Sequence, residues 1–198
     1  AAETGDVATE LLNAYLDEDE LRLYMDLSSD YALFDSFNEL VKGVGGADCG
    51  SVEDYVYLEI ESEECYPEDV LGKWGELFNL EMNKYVEKDD NFDVEEDKIV
   101  MKEAIEIKEG NLSYKFKYNI SHEYPIEAFI NVLNTIKANS EECGNSLECW
   151  SNKEYEEYTI DVSNDGNLFM FEAVSSPIKS FFGEEEVVFK FAIDYGGL

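Results

Sequence analysis

The sequence predicts an α+β fold, in which a helical N-terminal region precedes a two-layer antiparallel sheet covered by one helix, in the order β-β-α-β-β-β. Two patterns support this prediction. Between residues 99 and 121 apolar and polar residues alternate, which is the period-2 signature of half-buried strands. Between residues 126 and 136 apolar residues recur every three or four positions, which is typical of a helix that lays one face across a sheet.

The N-terminal region, 1–88, is predicted to be mainly helical. Over residues 6–42 the apolar spacing predicts two helical segments in line, with one apolar stripe in the second. Such a stripe indicates a packing seam inside the fold, and a helix–helix contact between subunits is the alternative. Another helix is expected over 68–85, after Pro67. The stripe consists of Leu21, Tyr24, Leu27, Tyr31, Phe34 and Val41.

The stretch 89–97 is an acidic linker between this region and an α+β sheet domain over 98–198, although the two regions can also pack as one unit. The domain opens with a hairpin over 99–121, whose turn is Glu109-Gly110-Asn111. The weak strand pattern at 52–65 precedes the linker. The inward face of the second hairpin strand is predicted to consist of Leu112, Tyr114, Phe116, Tyr118 and Ile120.

The helix after Tyr124-Pro125 and three further strands complete the domain. The strands are expected over 158–162, 168–174 and 187–193, with a turn at 164–166 between the first two. The apolar stripe of the helix consists of Ile126, Phe129, Ile130, Leu133 and Ile136.

The four cysteines fall into two pairs that are close in sequence, on either side of the hairpin. This spacing favours two local disulfides, Cys49–Cys65 and Cys143–Cys149, among the three possible connectivities. Four reduced core thiols are the alternative, and zinc is disfavoured because the spacing does not suit it and His122 is the only histidine.

The net charge of −33 excludes nucleic acid as a partner and disfavours an anionic membrane surface, since both require clustered Lys and Arg. No stretch is apolar enough to cross a bilayer. The chain starts Ala1-Ala2-Glu3 without Met, which suits cleavage of an export signal, so contact with a membrane is expected only through an anchor missing from this sequence.

Both Asn-x-Ser sequons of the chain, at Asn111 and Asn119, share the polar parity of the second hairpin strand. They are predicted to project from one exposed sheet face, where a glycan can attach without disturbing the core.

One stretch matches the twelve-residue calcium-loop template, with oxygen-bearing residues at odd positions and Gly166 at the bend. Because the flanking residues alternate like strands rather than helices, a hairpin turn is the simpler interpretation. Calcium is therefore only a weak candidate, and no other cofactor is predicted. The candidate ligands are Asp161, Ser163, Asp165, Asn167 and Glu172.

The sequence predicts no enzyme. A nucleophilic triad needs a base, and His122 lies alone in a loop, where a surface position is the usual one. Acidic residues are so abundant that a catalytic carboxylate pair cannot be recognised among solvated ones.

Several short phrases resemble a set of uncharacterised exported or membrane-anchored surface proteins of small-genome archaea. The resemblance implies an extracellular location and an N-terminal anchor or signal, which this sequence lacks, and it implies no activity. The phrases are RLYMDL at 22–27, YALF at 31–34, the glycine-rich loop into Cys49-Gly50, CYP at 65–67, NKY at 83–85 and FKFAID at 189–194.

Together these features predict an extracellular or cell-surface protein that works by contacts: a structural subunit of a filament, sheath or surface layer, or an adhesin. Its partners would be other copies of itself or other surface proteins, through tyrosine-rich surfaces. The alternative is a monomeric extracellular module that binds a cation or another solute, and a secreted hydrolase is a third possibility.

Overall fold

The structure is a computed structural model of the whole chain. The residues that it describes are 2–43, 49–61, 63–65, 69–86, 91–95, 97–109, 112–155, 158–174, 178–180 and 183–196.

The described residues form an α+β fold with an N-terminal helix, several sheets and further helices. Helices α1 to α4 span Ala2–Gly43, Val70–Met82, Ile126–Cys143 and Leu147–Ser151. Strands β1 to β13 span Ser51–Val52, Tyr55–Ile60, Glu63–Glu64, Phe92–Val94, Lys98–Met101, Ile105–Glu109, Leu112–Phe116, Asn119–Ser121, Thr159–Asp165, Leu168–Val174, Ile178–Ser180, Gly183–Glu185 and Val188–Asp194.

The largest sheet has six strands and is mixed rather than purely antiparallel as expected. Its order is β1-β2-β13-β10-β9, and β3 also pairs with β2. The strand β2 lies parallel to β13, with Val56 opposite Phe191, whereas β10 pairs antiparallel with both of its neighbours. The parallel partner of β2 comes from the other end of the chain, and no turn or local pattern can indicate such a pairing.

The predicted hairpin over 99–121 is present, but it forms two segments outside the main sheet. Near its base, β5 pairs with β8 in a three-stranded sheet that also contains β4. Farther out, β6 pairs with β7 as a separate two-stranded sheet. The predicted side-chain parity is correct where side chains are described, since Phe116 and Tyr118 are buried while Lys115, Lys117 and Asn119 are exposed.

The stretch 89–97 contains strand β4, where the sequence analysis predicts a solvated linker. Phe92 is buried and its ring contacts Phe78 of α2 at 5.6 Å between centroids. Asn91 is also buried, and its side chain bonds both backbone groups of Glu103. An apolar anchor and a satisfied amide therefore fix residues 91–95 within a stretch whose composition is mostly acidic.

A cluster of aromatic rings joins α1, α2 and α3 to the main sheet. The ring of Phe37 lies 5.4 Å from Trp74, 6.2 Å from Phe129 and 6.3 Å from Phe189, between centroids. Phe37 and Trp74 precede the 89–97 stretch in sequence and the other two rings follow it, so residues before and after this stretch share one hydrophobic core. Edge-to-face contacts of this kind add to the free energy gained from buried area.

Helix α3 covers the sheet as predicted. Four residues of its predicted stripe are buried and Ile130 is half-buried, and Phe129 lies 4.5 Å from Phe189 of β13 between ring centroids. Val132 is buried as well, so the buried face is wider than the stripe.

Candidate interaction surface

Helix α1 is the longest element and only its C-terminal half enters the core. Its 42 residues give a length of about 63 Å at about 1.5 Å per residue. Among the side chains that the structure describes, from Leu16 onward, none before Met25 is buried. The segment from Leu16 to Tyr24 contacts the rest of the fold through the partly buried Leu21 and through Arg22 and Tyr24, without a fully buried side chain.

The buried face of α1 combines four small residues with five larger apolar ones. Small side chains let the α1 backbone approach its neighbours closely, and a hydroxyl satisfies the indole of Trp74, whose Nε1 donates to Ser36 Oγ at 3.0 Å. This face consists of Met25, Ser28, Ser29, Ala32, Leu33, Ser36, Phe37, Leu40 and Val41.

The opposite face of α1 carries large apolar and tyrosine side chains that remain in solvent. Leu16 is 53% exposed, Leu23 60%, Tyr24 46% and Tyr31 41%, and Leu27 between them is half-buried. At about 100° per residue the three leucines fall within about 40° of one another, and the two tyrosines lie together on one side of them, so that the five residues span about 100°. We call these five residues the outer stripe.

The prediction that the apolar stripe of α1 packs inside the fold is therefore wrong for the central part of the stripe. Tyr24 and Tyr31 face solvent, while Leu21 and Phe34 only flank the core and Val41 alone is buried. The spacing identifies an apolar face correctly, but a second face, on which serine and alanine alternate with larger apolar residues, packs against the fold. The alternative interpretation, a helix–helix contact between subunits, stays a prediction.

Two sets of hydrogen bonds fix helix α1, and with it the outer stripe, relative to the rest of the fold. The Tyr24 hydroxyl donates to the carbonyl of Tyr85 at 2.9 Å, which fixes its ring at the end of α2. On another side of α1, the buried Tyr118 hydroxyl donates to Asp26 Oδ1 at 2.8 Å and lies 2.9 Å from Ser29 Oγ. Burial raises the pKa of Tyr118, so its phenol stays a neutral donor at physiological pH.

The surface around the outer stripe is strongly acidic. Between residues 16 and 43 there are eight acidic residues against Arg22 and Lys42. Arg22 pairs with Glu18 at 3.3 Å, and its guanidinium lies 5.7 Å from the centre of the Phe116 ring. Burial and the charge of Asp26 raise the pKa of Asp30. An apolar stripe with acidic margins can join a like surface only when cations screen the repulsion.

Both predicted disulfides are present, and all four cysteines are paired. Cys49–Cys65 joins the segment after α1 to the end of the β2–β3 pair, with Cα atoms 6.1 Å apart. Cys143–Cys149 joins the end of α3 to α4, with Cα atoms 5.3 Å apart. Paired cysteines are typical of proteins in oxidising compartments.

Of the two sequons, the structure places Asn119 on strand β8 with its side chain exposed, next to the exposed Ser121. Asn111 lies outside the described residues. Asn119 is thus accessible to a modifying enzyme, as its parity predicts.

The calcium-loop residues lie on a hairpin, which brings Asp161 and Glu172 opposite each other but does not gather all five around one point. Asp161, Ser163 and Asp165 occupy alternate positions of β9, so they are spread over about 13 Å along one strand. Asn167 is in the turn, and Glu172 on β10 faces Lys190 at 3.8 Å. Among the described residues no group of His, Cys, Asp or Glu is arranged to hold a metal ion.

His122 is packed rather than on the surface. It lies 5.0 Å from the Trp74 ring between centroids, and its Nε2 is 3.1 Å from the carbonyl oxygen of Glu95. Burial lowers the pKa of His122, which outweighs the opposing effects of the Glu95 carbonyl and the Asp97 charge. A neutral imidazole between an indole and a backbone carbonyl serves the packing of the loop.

In the part of the chain that the structure describes, no helix has the length and apolarity needed to cross a bilayer. Comparison of the chain with protein-family models, with curated protein sequences and with solved structures finds no match. The outer stripe of α1 is therefore identified as the candidate interaction surface on its own geometry.

Proposed function

We propose that this protein is an exported cell-surface protein that works by contacts, as a structural subunit that associates with further copies of itself through the outer stripe of α1. The single observation that carries the proposal is that α1 is apolar on two opposite faces, of which the outer one stays largely exposed to solvent. An isolated soluble helix of this length normally has one apolar face.

A second copy of α1 suits the outer stripe because the stripe has the spacing of a helix-pairing seam. Leu16 and Leu23 are seven residues apart, Leu27 follows four residues later, and Tyr24 and Tyr31 are again seven apart. Such spacing keeps one row of side chains facing a partner helix along its length. A second copy offers a helix with the same repeat, and the tyrosines add contact area at a low cost in side-chain entropy.

A location outside the cytoplasm is supported by two further observations. Both disulfides are closed, and the Cys49–Cys65 pair anchors the region that follows α1. The Asn119 sequon is exposed on a strand that is not part of the outer stripe, so a glycan there would leave the α1 contact free.

The experiment is sedimentation velocity of the disulfide-bonded protein and of Leu23→Glu, over a range of protein and salt concentrations. Burying the exposed part of Leu23 in both copies is worth about 2–4 kcal/mol, so Leu23→Glu should weaken association at least about thirtyfold. Association of the unmodified protein should strengthen with salt, because the screening length falls from about 30 Å at 0.01 M to about 3 Å at 1 M.

The matched control is Leu80→Glu, because Leu80 on α2 is 63% exposed and lies outside the stripe. It should associate like the unmodified protein, and both variants should keep the unmodified Tm. The proposal would be contradicted if the unmodified protein stayed monomeric at every salt concentration. It would also be contradicted if Leu23→Glu and Leu80→Glu weakened association equally.

A further inference from the structure

A groove of about 550 Å³ lies between α3 and the segment that follows α4, on a different part of the molecule from the outer stripe. Its volume is within the range of about 300–1,000 Å³ that is usual for small-molecule sites. Ala128, Ala138 and the buried Val132 form its apolar part. Its polar lining consists of Asn131, Asn134, Thr135, Glu154, Tyr155 and Tyr158.

The described lining of the groove carries one charged residue, in a protein of which 31% of the residues are charged. Among these described lining residues Glu154 is the only ionisable carboxylate and none is basic, while Glu156 and Glu157 lie outside the described residues. Lys153 beside it is paired with Glu142 at 2.6 Å. Over residues 128–140 of α3, Lys137 is the one charged residue. This composition disfavours an anion, which needs cationic or clustered N–H donors.

Several neutral hydrogen-bonding groups in the groove are available to a ligand. Asn131 and Asn134 are exposed, and neither side-chain amide has a hydrogen-bond partner among the described residues. The Thr135 hydroxyl donates to the carbonyl of Asn131 at 2.8 Å, so its oxygen still offers lone pairs as an acceptor. The two amides each supply a carbonyl acceptor and an N–H₂ donor.

One tyrosine gives the groove aromatic surface. Tyr155 is half-buried, whereas Tyr158 is 6% exposed and its ring packs against Phe189 at 5.1 Å between centroids. Burial raises the pKa of Tyr155, so the phenol is neutral at physiological pH. A tyrosine presents an apolar ring and a polar tip, and it suits a ligand that also has one apolar and one hydroxylated side.

From this combination we infer that the groove binds a neutral sugar unit. A pyranose ring has an apolar face of C–H groups that packs on an aromatic ring, and a rim of hydroxyls that each both donate and accept. Amide, hydroxyl and phenol groups match such a rim, while a site without cationic side chains gives no advantage to acidic sugars or phosphates.

The test is saturation-transfer NMR with three separate neutral pentasaccharides, of glucose, of mannose and of N-acetylglucosamine, on the whole disulfide-bonded protein. At least one should show transfer at millimolar concentration and be titratable to a dissociation constant. Ala138→Trp should lower its affinity at least about tenfold, because the indole fills the groove from an exposed position. Asn134→Ala should lower the affinity about fivefold, through the loss of one neutral hydrogen-bonding side chain.

The matched control is Asn145→Ala, an exposed asparagine outside the groove, which should leave the affinity unchanged. No transfer to any pentasaccharide, or equal affinity in the unmodified protein, Ala138→Trp and Asn134→Ala, would overturn the inference. So would binding of CaCl₂ or inorganic phosphate, without binding of the sugars, that Asn134→Ala abolishes. Sugar binding does not depend on self-association, so a monomeric protein leaves this test intact.

Discussion

Replacement of Asn79 by leucine tests how helix α2 is joined to the edge strand β4. The Asn79 side chain donates to the carbonyl of Phe92 at 2.9 Å and accepts from its N–H at 3.0 Å, and it also donates to Gly75 of its own helix at 2.8 Å. Asn79 is 6% exposed and Phe92 2%. The amide therefore pairs with Phe92 as a neighbouring strand would, and it covers the open edge of the three-stranded sheet.

The expected cost follows from the two backbone groups that Asn79→Leu leaves unpaired. A buried donor or acceptor without a partner costs about 1–3 kcal/mol, and leucine regains part of the loss through apolar contact. We expect the free energy of unfolding to fall by about 2–5 kcal/mol. Asn79→Asp should cost a similar amount at pH 7, because a carboxylate can accept from the Phe92 N–H but repels its carbonyl oxygen.

The two variants should differ in their response to pH. In Asn79→Asp, the protonated carboxyl can donate to the Phe92 carbonyl, so its pKa in the folded protein is raised above the ordinary value of about 3.9. The resulting stability is present below that value and is lost as the pH rises through the folded-state pKa. The deficit of Asn79→Asp relative to the unmodified protein should therefore shrink between pH 7 and pH 4, while that of Asn79→Leu stays nearly constant.

Urea unfolding followed by circular dichroism measures both deficits, with the exposed Asn145→Asp as the control for an added charge. A loss below about 0.5 kcal/mol in Asn79→Leu, or a pH-independent deficit in Asn79→Asp, would show that the amide does not hold the strand edge.

Two further predictions concern the packing around Trp74. Ser36→Ala removes the acceptor of the buried indole N–H and should cost about 1–3 kcal/mol in urea unfolding, whereas Ser36→Thr, which keeps a hydroxyl, should recover part of that loss. For His122, whose pKa is lowered by burial, stability is present above its ordinary value of about 6.5 and is lost as the pH falls through the folded-state pKa. His122→Phe should thus show a smaller fall in unfolding free energy between pH 7 and pH 5 than the unmodified protein, and equal slopes would refute a role for the imidazole.

The elements that could be predicted from the sequence are those whose determinants are local. The apolar stripe of α3, the β9–β10 hairpin and the parity of Phe116 and Tyr118 each depend on residues a few positions apart, although the hairpin turn falls at Gly166-Asn167 and not at 164–166. Strand β2 could be indicated only weakly, because its alternating pattern is short and its parallel partner is remote. Within 89–97 the composition predicts a solvated linker, whereas Phe92–Val94 form a strand. The reason is that the burial of Phe92 stabilises this strand although its neighbours are acidic.

The candidate surface was only half predictable. The spacing of large apolar residues on α1 identifies one apolar face, which includes Tyr24 and Tyr31. It does not identify the buried face, because that face includes small residues such as Ser29 and Ala32, which pack closely but are not counted as apolar positions. The groove gives no sequence signal, because its lining joins one side of α3 to a distant segment. A charge-poor stretch on an exposed helix of a strongly acidic protein, as at 128–140, is the signal that could have pointed to it.

The parallel pairing of β2 with β13 affects the order in which the protein can assemble itself. The main sheet joins a strand from the first third of the chain to β13, so it cannot close until synthesis has delivered the C-terminal residues. Until then the inward sides of Val56 and Leu58 have no neighbour on that edge, and the Cys49–Cys65 bridge beside them can form earlier as a local clamp. Deletion of β13 should therefore destabilise β2 most, although β2 is synthesised long before β13.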